Sequence, residues 1–450
     1  MSTSSSQSFE EAIAEYIEAS RAQIDEEIME NIPPWPPAPY EQGPPPFEAA
    51  LRIDSETIST FARNLGDDNP IYSDPKYGLN TRYGCQIAPG VIVSSVRYPT
   101  GHGAQRPEGY PVANFYSGTA FEFFDVIRVG SKFRTTKVPK ELVEKQGSKG
   151  ALLFLITELN YWDYHGDLLS KVYSTQIQIP TATMGATRSM DPARLGEHML
   201  YERGAHSYTE QNIQDALGDI KKRKRRGSET LFWEDVEIGE TLGPLVIPPW
   251  TLQDQLAYHF LTYAASAGEE MPGDVYAFEP AYHNMRRWPG RARIHPNTYW
   301  PWTPGNEHED AVLSPYRTQP LPFDFGLQRC QFPQQLLTNW MGDDGFIRRQ
   351  QASLRRPVFY SDITTYTGEV VKKSVVVEKG PDKSGGIPGE HTYYAVGIRI
   401  HGFNQIGEEQ SPGTATVYLP SREGGPVKLP IPHPEKPPYV PFETFRTDWF

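Results

Sequence analysis

The sequence predicts an α+β fold made of two similar units in one chain, each a helix wrapped by a curved antiparallel sheet. Three observations carry this. The apolar period changes from helical to two near residue 112, where FEFFDVIRVG, ALLFLITELNYW and LLSKVYSTQIQIP read as strands with Gly-containing turns between them. The same order of patterns returns in the second half, with TLQDQLAYHFLTYAASAG as a helix and PVFYSDITTYTGEVVKK, TYYAVGIRIHGFNQ and GTATVYLPS as strands. Finally, 42 Pro and 38 Gly in 450 residues break the chain too often for long helices to dominate.

The elements follow in order. Residues 9–31 predict one amphipathic helix, because Ser8 and Glu11 have capping-box spacing and Phe9, Ile13, Tyr16, Ile17, Ile24 and Ile28 share a face. Pro33 and Pro34 stop it, and PPWPPAPYEQGPPP (33–46) reads as an extended arm that wraps its own body or a partner subunit. Asp54 caps a second helix with Ile58, Phe61, Ala62 and Leu65 on one face, and Gly66 ends it. The loop GDDNP (66–70) follows. GVIVSSV, starting at Gly90, reads as an apolar helix ending before Pro99. In the second half Gly326 opens LQRCQFPQQLLTNWM, with Pro333 as a kink. The interval from helix-ending to helix-starting Gly is longer in the second half (268 to 326) than in the first (66 to 90), which implies an insertion at about 275–320. The expected organisation is an arm (1–48), a first unit (49–181), a linker (182–230), a second unit (231–422) and a tail (423–450).

Composition excludes several classes. No apolar run reaches the ~20 residues of a membrane span, and the polar, acidic N-terminus is not a secretory signal. Cys85 and Cys330 are the two cysteines, too few for a disulfide framework or a Cys-rich metal site. The net charge of −13 argues against general nucleic-acid binding. The expectation is a cytoplasmic protein with no membrane, nucleic-acid or metal partner. KKRKRR (221–226) reads as a solvated run at the linker, with contact to coenzyme A phosphates as the alternative.

FARNLGDDNPIYSD (61–74), IAPG (87–90) and VIRVGSKF (126–133) resemble the MaoC-like dehydratases, in the branch with an N-terminal fatty-acid-synthase-type dehydratase domain. LFWEDVEIGETL (231–242), LLTNWMGDDGFIRR (336–349), RRPVFYSDIT (355–364) and SPGTATVYLPSR (411–422) resemble the C-terminal hotdog of such proteins. The resemblance implies a double hotdog: two helix-wrapped sheets forming a pseudo-dimer, itself a homodimer or higher oligomer. It implies a hydro-lyase of lipid metabolism, an acyl-CoA dehydratase or (R)-type enoyl-CoA hydratase, with coenzyme A as part of the substrate and no other cofactor.

Carried over residue by residue, Asp67 matches the family's acid/base Asp, Asn69 its Asn, and Gly90, after Pro89, the helix start whose N–H receives the thioester oxygen. Tyr72 stands where the family has His, and a phenol titrates near 10, a poorer base than imidazole. In the second half Glu269 and Met271 take the Asp and Asn positions in one alignment, His283 supplies a displaced imidazole, and Asp324 and Gly326 fall at the helix start. These departures support an alternative reading as a non-catalytic acyl-thioester-binding partner of another hotdog subunit. A further possibility is a different lyase or isomerase using His283. GDDNP also reads as a helix cap and turn. His283, His295 and His308 also read as part of a surface loop or a lid, His259 as structural, Cys85 as packing, and the Asp pair of TNWMGDDG (338–345) as a helix stop.

Overall fold

Ten strands form one continuous antiparallel sheet through both halves of the chain. The computed structural model describes residues 8–27, 47–48, 51–99, 101, 103–104, 112–147, 150–180, 199–258, 293–299, 301–302, 305–380 and 389–450. The first half contributes β1 (Phe47–Glu48), β2 (Val112–Phe123), β3 (Arg134–Gly147), β4 (Gly150–Trp162) and β5 (Leu168–Pro180). The second contributes β6 (Thr241–Ile247), β7 (Phe346–Ser353), β8 (Thr364–Lys379), β9 (Glu390–Asn404) and β10 (Gly413–Leu419). The order across the sheet is β1-β3-β4-β5-β2-β7-β10-β9-β8-β6, so each half repeats one order outward from the centre.

The halves meet where β2 pairs β7, with Arg349 opposite Glu122 and Ser353 opposite Gly118. Gly118 has φ +154°, and a Cβ there would stand 2.5 Å from the Ala352 carbonyl oxygen, so glycine is required at this junction. Buried Arg348 ties the junction: its Nη2 lies 3.0 Å from Glu122 and its Nε 2.9 Å from Glu378.

Two central helices pack on the sheet. The first is short, a 3-10 turn Gly90–Ile92 continued by Val93–Val96, all apolar or small and largely buried. The second is longer, Gly326–Gln331 and Pro333–Met341, and breaks at Phe332 where Pro333 lacks a donor. Both share one apolar core with the inner face of the sheet.

The repeat extends to individual backbone bonds. Val129 N donates to Gln86 O and Gly130 N to Ile53 O; in the second half Tyr360 N donates to Pro322 O and Ser361 N to Trp250 O. Gln86 and Pro322 each stand four residues before the helix-start glycine. Asp54 caps Ser55–Asn64, and Thr251, bonded to Asp254, stands at the start of Leu252–Tyr258.

Several sequence expectations need correction. The N-terminal helix keeps its capping box but covers only Phe9–Arg21, followed by turns to residue 26. The arm at 33–46, and His259, Glu269, Met271 and His283, lie outside the described residues. The run at 221–226 is not simply solvated. Its first two residues, Lys221 and Lys222, end the linker helix Glu210–Lys222; Arg223 and Arg225 pair with Asp68, and Arg226 Nε donates to Trp340 O at 2.7 Å. The insertion ends earlier than the Gly interval suggested. Asn306–Glu309 is the counterpart of Pro70–Ser73, each beginning 20 positions before its helix-start glycine. The extra residues therefore lie between Tyr258 and Asn306. The tail crosses back, and Phe442, Phe445 and Trp449 bury themselves against Ala120, Ile156 and Tyr173 of the first half's sheet.

Candidate functional site

Each half forms a cavity at its central helix start, and the two differ in chemistry. The first, about 540 Å³, is lined by Asn69, Tyr72, Ala88, Gly90, Phe123 and, from the other half's helix, Gln334 among others. The loop that forms it is self-bonded. Asp67 Oδ1 accepts from Asn69 N at 3.0 Å, and Asn69 Oδ1 accepts from Ile71 N at 3.2 Å, capping the turn Pro70–Ser73. Asp67 is 3 % exposed and does not line the cavity. Burial pushes its carboxyl up to about 6, against the pull of the Asn69 amide and of Arg225 and Arg223. Burial also raises the Tyr72 phenol, so it stays protonated. Gln334 joins the site across the halves: its Nε2 is 3.3 Å from Tyr72 Oη, and its Oε1 accepts from Val91 N at 2.9 Å.

The expected residues Asn69, Tyr72 and Gly90 thus line the cavity together, with Pro89 next to Gly90 in the chain and Asp67 behind them, but among the described residues no lysine or arginine lines it. Its lining carboxylates are Asp125, bound to Arg128, and Asp343, which accepts from Tyr77 Oη at 2.6 Å. The GDDG turn read as a simple helix stop does stop the helix, at Gly342 with φ +72°, and also contributes Asp343 to this wall.

The second cavity, about 1560 Å³, surrounds the start of the longer central helix. Gly326 sits there under close contact; a Cβ would fall 2.5 Å from Leu354 Cδ1. Asp324 is fully buried, accepts from Val358 N at 2.9 Å and lies 2.5 Å from Arg329 Nε. Its carboxylate therefore braces the helix start. Burial pushes that carboxyl up, opposed by Arg329.

The residue that sequence reasoning misplaced is His308. It lies in a short helix on the wall of the second cavity rather than in a surface loop. It occupies the third position of Asn306–Glu309, as Tyr72 does in Pro70–Ser73, and both stand 18 positions before their helix-start glycine. That equal spacing was readable from the sequence by counting back from Gly326 rather than forward from Gly268. The His308 ring lies 4.1 and 4.5 Å from the Phe323 and Phe325 rings. Its Nδ1 is 3.1 Å from Asp324 O and 3.3 Å from Phe323 O. Carbonyls only accept, so Nδ1 carries the hydrogen and Nε2 is the basic nitrogen of the neutral ring. Neighbouring Glu307 is buried and lies 3.1 Å from Arg317, whose other nitrogen donates to Asn114 O. Counting the same way, Gly305 stands where the first half has Asn69 and Thr303 where it has Asp67. His295 is buried outside this cavity, its Nε2 3.1 Å from Asp310.

Four arginines line the second cavity: Arg317 and Arg329 inside, and exposed Arg355 and Arg356, which pair with Glu409 and Glu408. The linker supplies a further wall with Leu200 and Tyr201. Arg203 anchors that wall on buried Asp362, and Tyr208 Oη donates to Ser361 O at 2.7 Å. Among the described residues no His, Cys, Asp and Glu cluster could hold a metal ion, and no helix is long and apolar enough to cross a membrane.

Comparison with known proteins fits this architecture. Residues 48–172 match the family model of the FAS1-like dehydratase domain region. Among solved structures, a MaoC-like dehydratase is similar over 82 % of this chain and 96 % of its own, at 14 % identity and TM-score 0.50. A MaoC-like dehydratase from Phytophthora capsici is matched over 90 % and 98 %, at 11 % identity and TM-score 0.44. Full-length peroxisomal multifunctional enzyme type 2 from Drosophila melanogaster is matched over 82 % and 48 %, at 12 % identity and TM-score 0.41. No curated protein matches the chain in sequence. The fold and paired sites define a double-hotdog protein. Its architecture is that of the MaoC-like dehydratases, with the FAS1-like dehydratase region in its first half.

Proposed function

We propose that the chain is a hydro-lyase that adds or removes water across the α,β bond of an acyl-CoA thioester, with the chemistry in the second cavity. The observation that carries this is His308, an imidazole at the motif position beside the start of the longer central helix. In the hydration direction, water gives a proton to His308 Nε2 while its oxygen bonds to the β carbon. Electron density moves to the thioester oxygen, where backbone N–H groups and the dipole at the helix start favour negative charge. The proton returns from the imidazolium to the α carbon and restores the carbonyl; dehydration is the reverse. Phe323 and Phe325 hold the ring, and the Phe323 and Asp324 carbonyls fix its tautomer. Arg355 and Arg356 at the exposed side suit the phosphates of coenzyme A.

Gly305 and Thr303 in place of the Asn and Asp of the first half favour a second reading, a non-catalytic binder of acyl thioesters. One experiment separates the two. The purified chain is incubated with enoyl-CoA thioesters of varied acyl group, and loss of enoyl absorbance is followed for wild type, His308→Gln and Asp67→Asn. The hydro-lyase reading expects turnover that His308→Gln removes and Asp67→Asn keeps. Binding without turnover in the wild type supports the binder. Turnover lost only in Asp67→Asn moves the chemistry to the first cavity.

A further inference from the structure

The second cavity has an end that the hydration chemistry does not use. Asn114 and Tyr116 on β2, Gln176 and Ile177 on β5, and Gln319 line it from the first half's strands and the loop before the central helix. Gln176 is 6 % exposed and Gln319 1 % exposed. The side-chain oxygens of Asn114, Gln176 and Gln319 are all buried without a hydrogen-bond partner among the described residues. Buried amide oxygens left unpaired cost stability, so three on one cavity wall call for a ligand that donates to them. Around them the wall is apolar and aromatic, with Phe115, Tyr116, Ile177 and Ile179.

The geometry points to an acyl group that is bulky and hydroxylated, seated against β2 and β5 with its hydroxyls on Asn114, Gln176 and Gln319. A hydroxyl both donates and accepts, so it satisfies an amide in either orientation. An apolar frame of ring size fills the aromatic wall, whereas an unbranched saturated chain leaves the amides unpaired. This assignment rests on the acyl-thioester reading for the group that carries the acyl chain. The wall itself is a property of the cavity whatever that group is.

The test measures binding by calorimetry, so it does not depend on turnover. The probes are cyclohexanecarbonyl-CoA and 3,4-dihydroxycyclohexanecarbonyl-CoA, with free CoA and the two free carboxylic acids as controls. The wild type is expected to prefer the dihydroxy thioester by about tenfold or more, one good hydrogen bond's worth. Gln176→Leu and Gln319→Leu should each shrink that preference while leaving the affinity for free CoA unchanged. Gln176→Leu, free of ligand, should melt at or above the wild-type temperature, because a buried unpaired amide oxygen has been replaced by an apolar side chain; Gln319→Leu also gives up the bond from Gln319 Nε2 to Arg317 O and should melt within about two degrees of wild type. Equal affinity for the dihydroxy and unsubstituted probes in both series overturns the assignment. So does a fall of several degrees in the melting temperature of both variants, which would give the amides a structural task. If neither CoA nor any thioester binds but the dihydroxy acid is preferred over the plain acid, the thioester reading fails and the hydroxyl-reading wall stands.

Discussion

The two cavities occupy equivalent places in a duplicated scaffold and have kept opposite parts of one motif. The first retains Asp67 and Asn69 in a self-capped turn but presents a phenol, Tyr72, where the imidazole belongs. The second presents an imidazole, His308, with Thr303 and Gly305 at the sequence positions that correspond to the Asp and Asn. Their surroundings diverge in the same sense. Among the described residues, Asp343 and the Arg128-paired Asp125 line the first and no cation does, while four arginines line the second beside Glu307 and Asp324. The volumes follow, about 540 against about 1560 Å³. Duplication within one chain frees each copy from serving both sites, so one can keep the fold's turn geometry while the other, on the proposed reading, carries base and phosphate contacts.

The largest expected effect is on that division itself. His308→Gln removes the only imidazole the described residues place at either helix start, and a positioned general base is worth roughly 10²–10⁴-fold in rate. The expected outcome is a fall in kcat of that size, with the CoA-thioester Kd within about threefold of wild type and the melting temperature unchanged. A kcat within threefold of wild type would break the comparison.

Much of the fold was legible because it rests on local chemistry. The capping box at Ser8, the Asp54 cap, Pro333 and the period-two strands are short-range signals, and each has the predicted effect. The junction of the halves was less so. That Gly118 faces Ser353 and that Gln334 of the second half reaches Tyr72 of the first depend on tertiary register, which no local pattern encodes. The candidate site was half legible. GDDNP and the helix-start glycines announced themselves. His308 was hidden because the extra residues between Tyr258 and Asn306 mislead an alignment that counts from the preceding helix. The boundary of the N-terminal helix failed for a different reason. Ile24 and Ile28 continue the apolar stripe, yet Asp25 takes a positive φ of 66° and turns the chain, its N–H donating to Pro139 O.

Asp67 gives the next effect, on stability. Its carboxyl is raised from the ordinary 3.8 to about 6 by burial, so between those values the folded state binds more proton than the unfolded. Stability therefore falls as pH rises from about 4 to about 6 and levels off above. Asp67→Asn keeps an acceptor for the Asn69 amide but cannot ionise. It should be more stable than wild type at pH 7 by about 1–3 kcal/mol, and the difference should vanish near pH 4. Urea unfolding at both pH values measures it. A destabilised variant at pH 7 would mean that the charge is satisfied where it lies.

Arg355 and Arg356 come next. Both are exposed and ion-paired to Glu409 and Glu408, pairs worth little by themselves. Replacing both by Ala should leave the melting temperature within about two degrees, yet weaken a CoA thioester by about tenfold at low salt. The weakening should shrink as ionic strength rises. Loss of affinity that ignores salt would place the phosphates elsewhere.

The smallest effect expected is the most informative about the first cavity. Tyr72→His restores, beside Asp67 and Asn69, the residue type that the motif resemblance calls for. If motif residues alone made the site, this substitution would add turnover of CoA thioesters in a His308→Gln background. The lining argues otherwise. Asp343 meets an incoming polyanion with like charge while Asp125 is already paired with Arg128, no lysine or arginine stands among the described lining residues, and the space is about a third of the second cavity's. Asp67 also lies behind the lining rather than on it, one of its two oxygens committed to the Asn69 amide. The expected outcome is less than a twofold rise over background. A gain of tenfold or more would show that the two halves differ in one side chain rather than in their whole electrostatic setting, and the distinction drawn between the cavities would then reduce to residue 72.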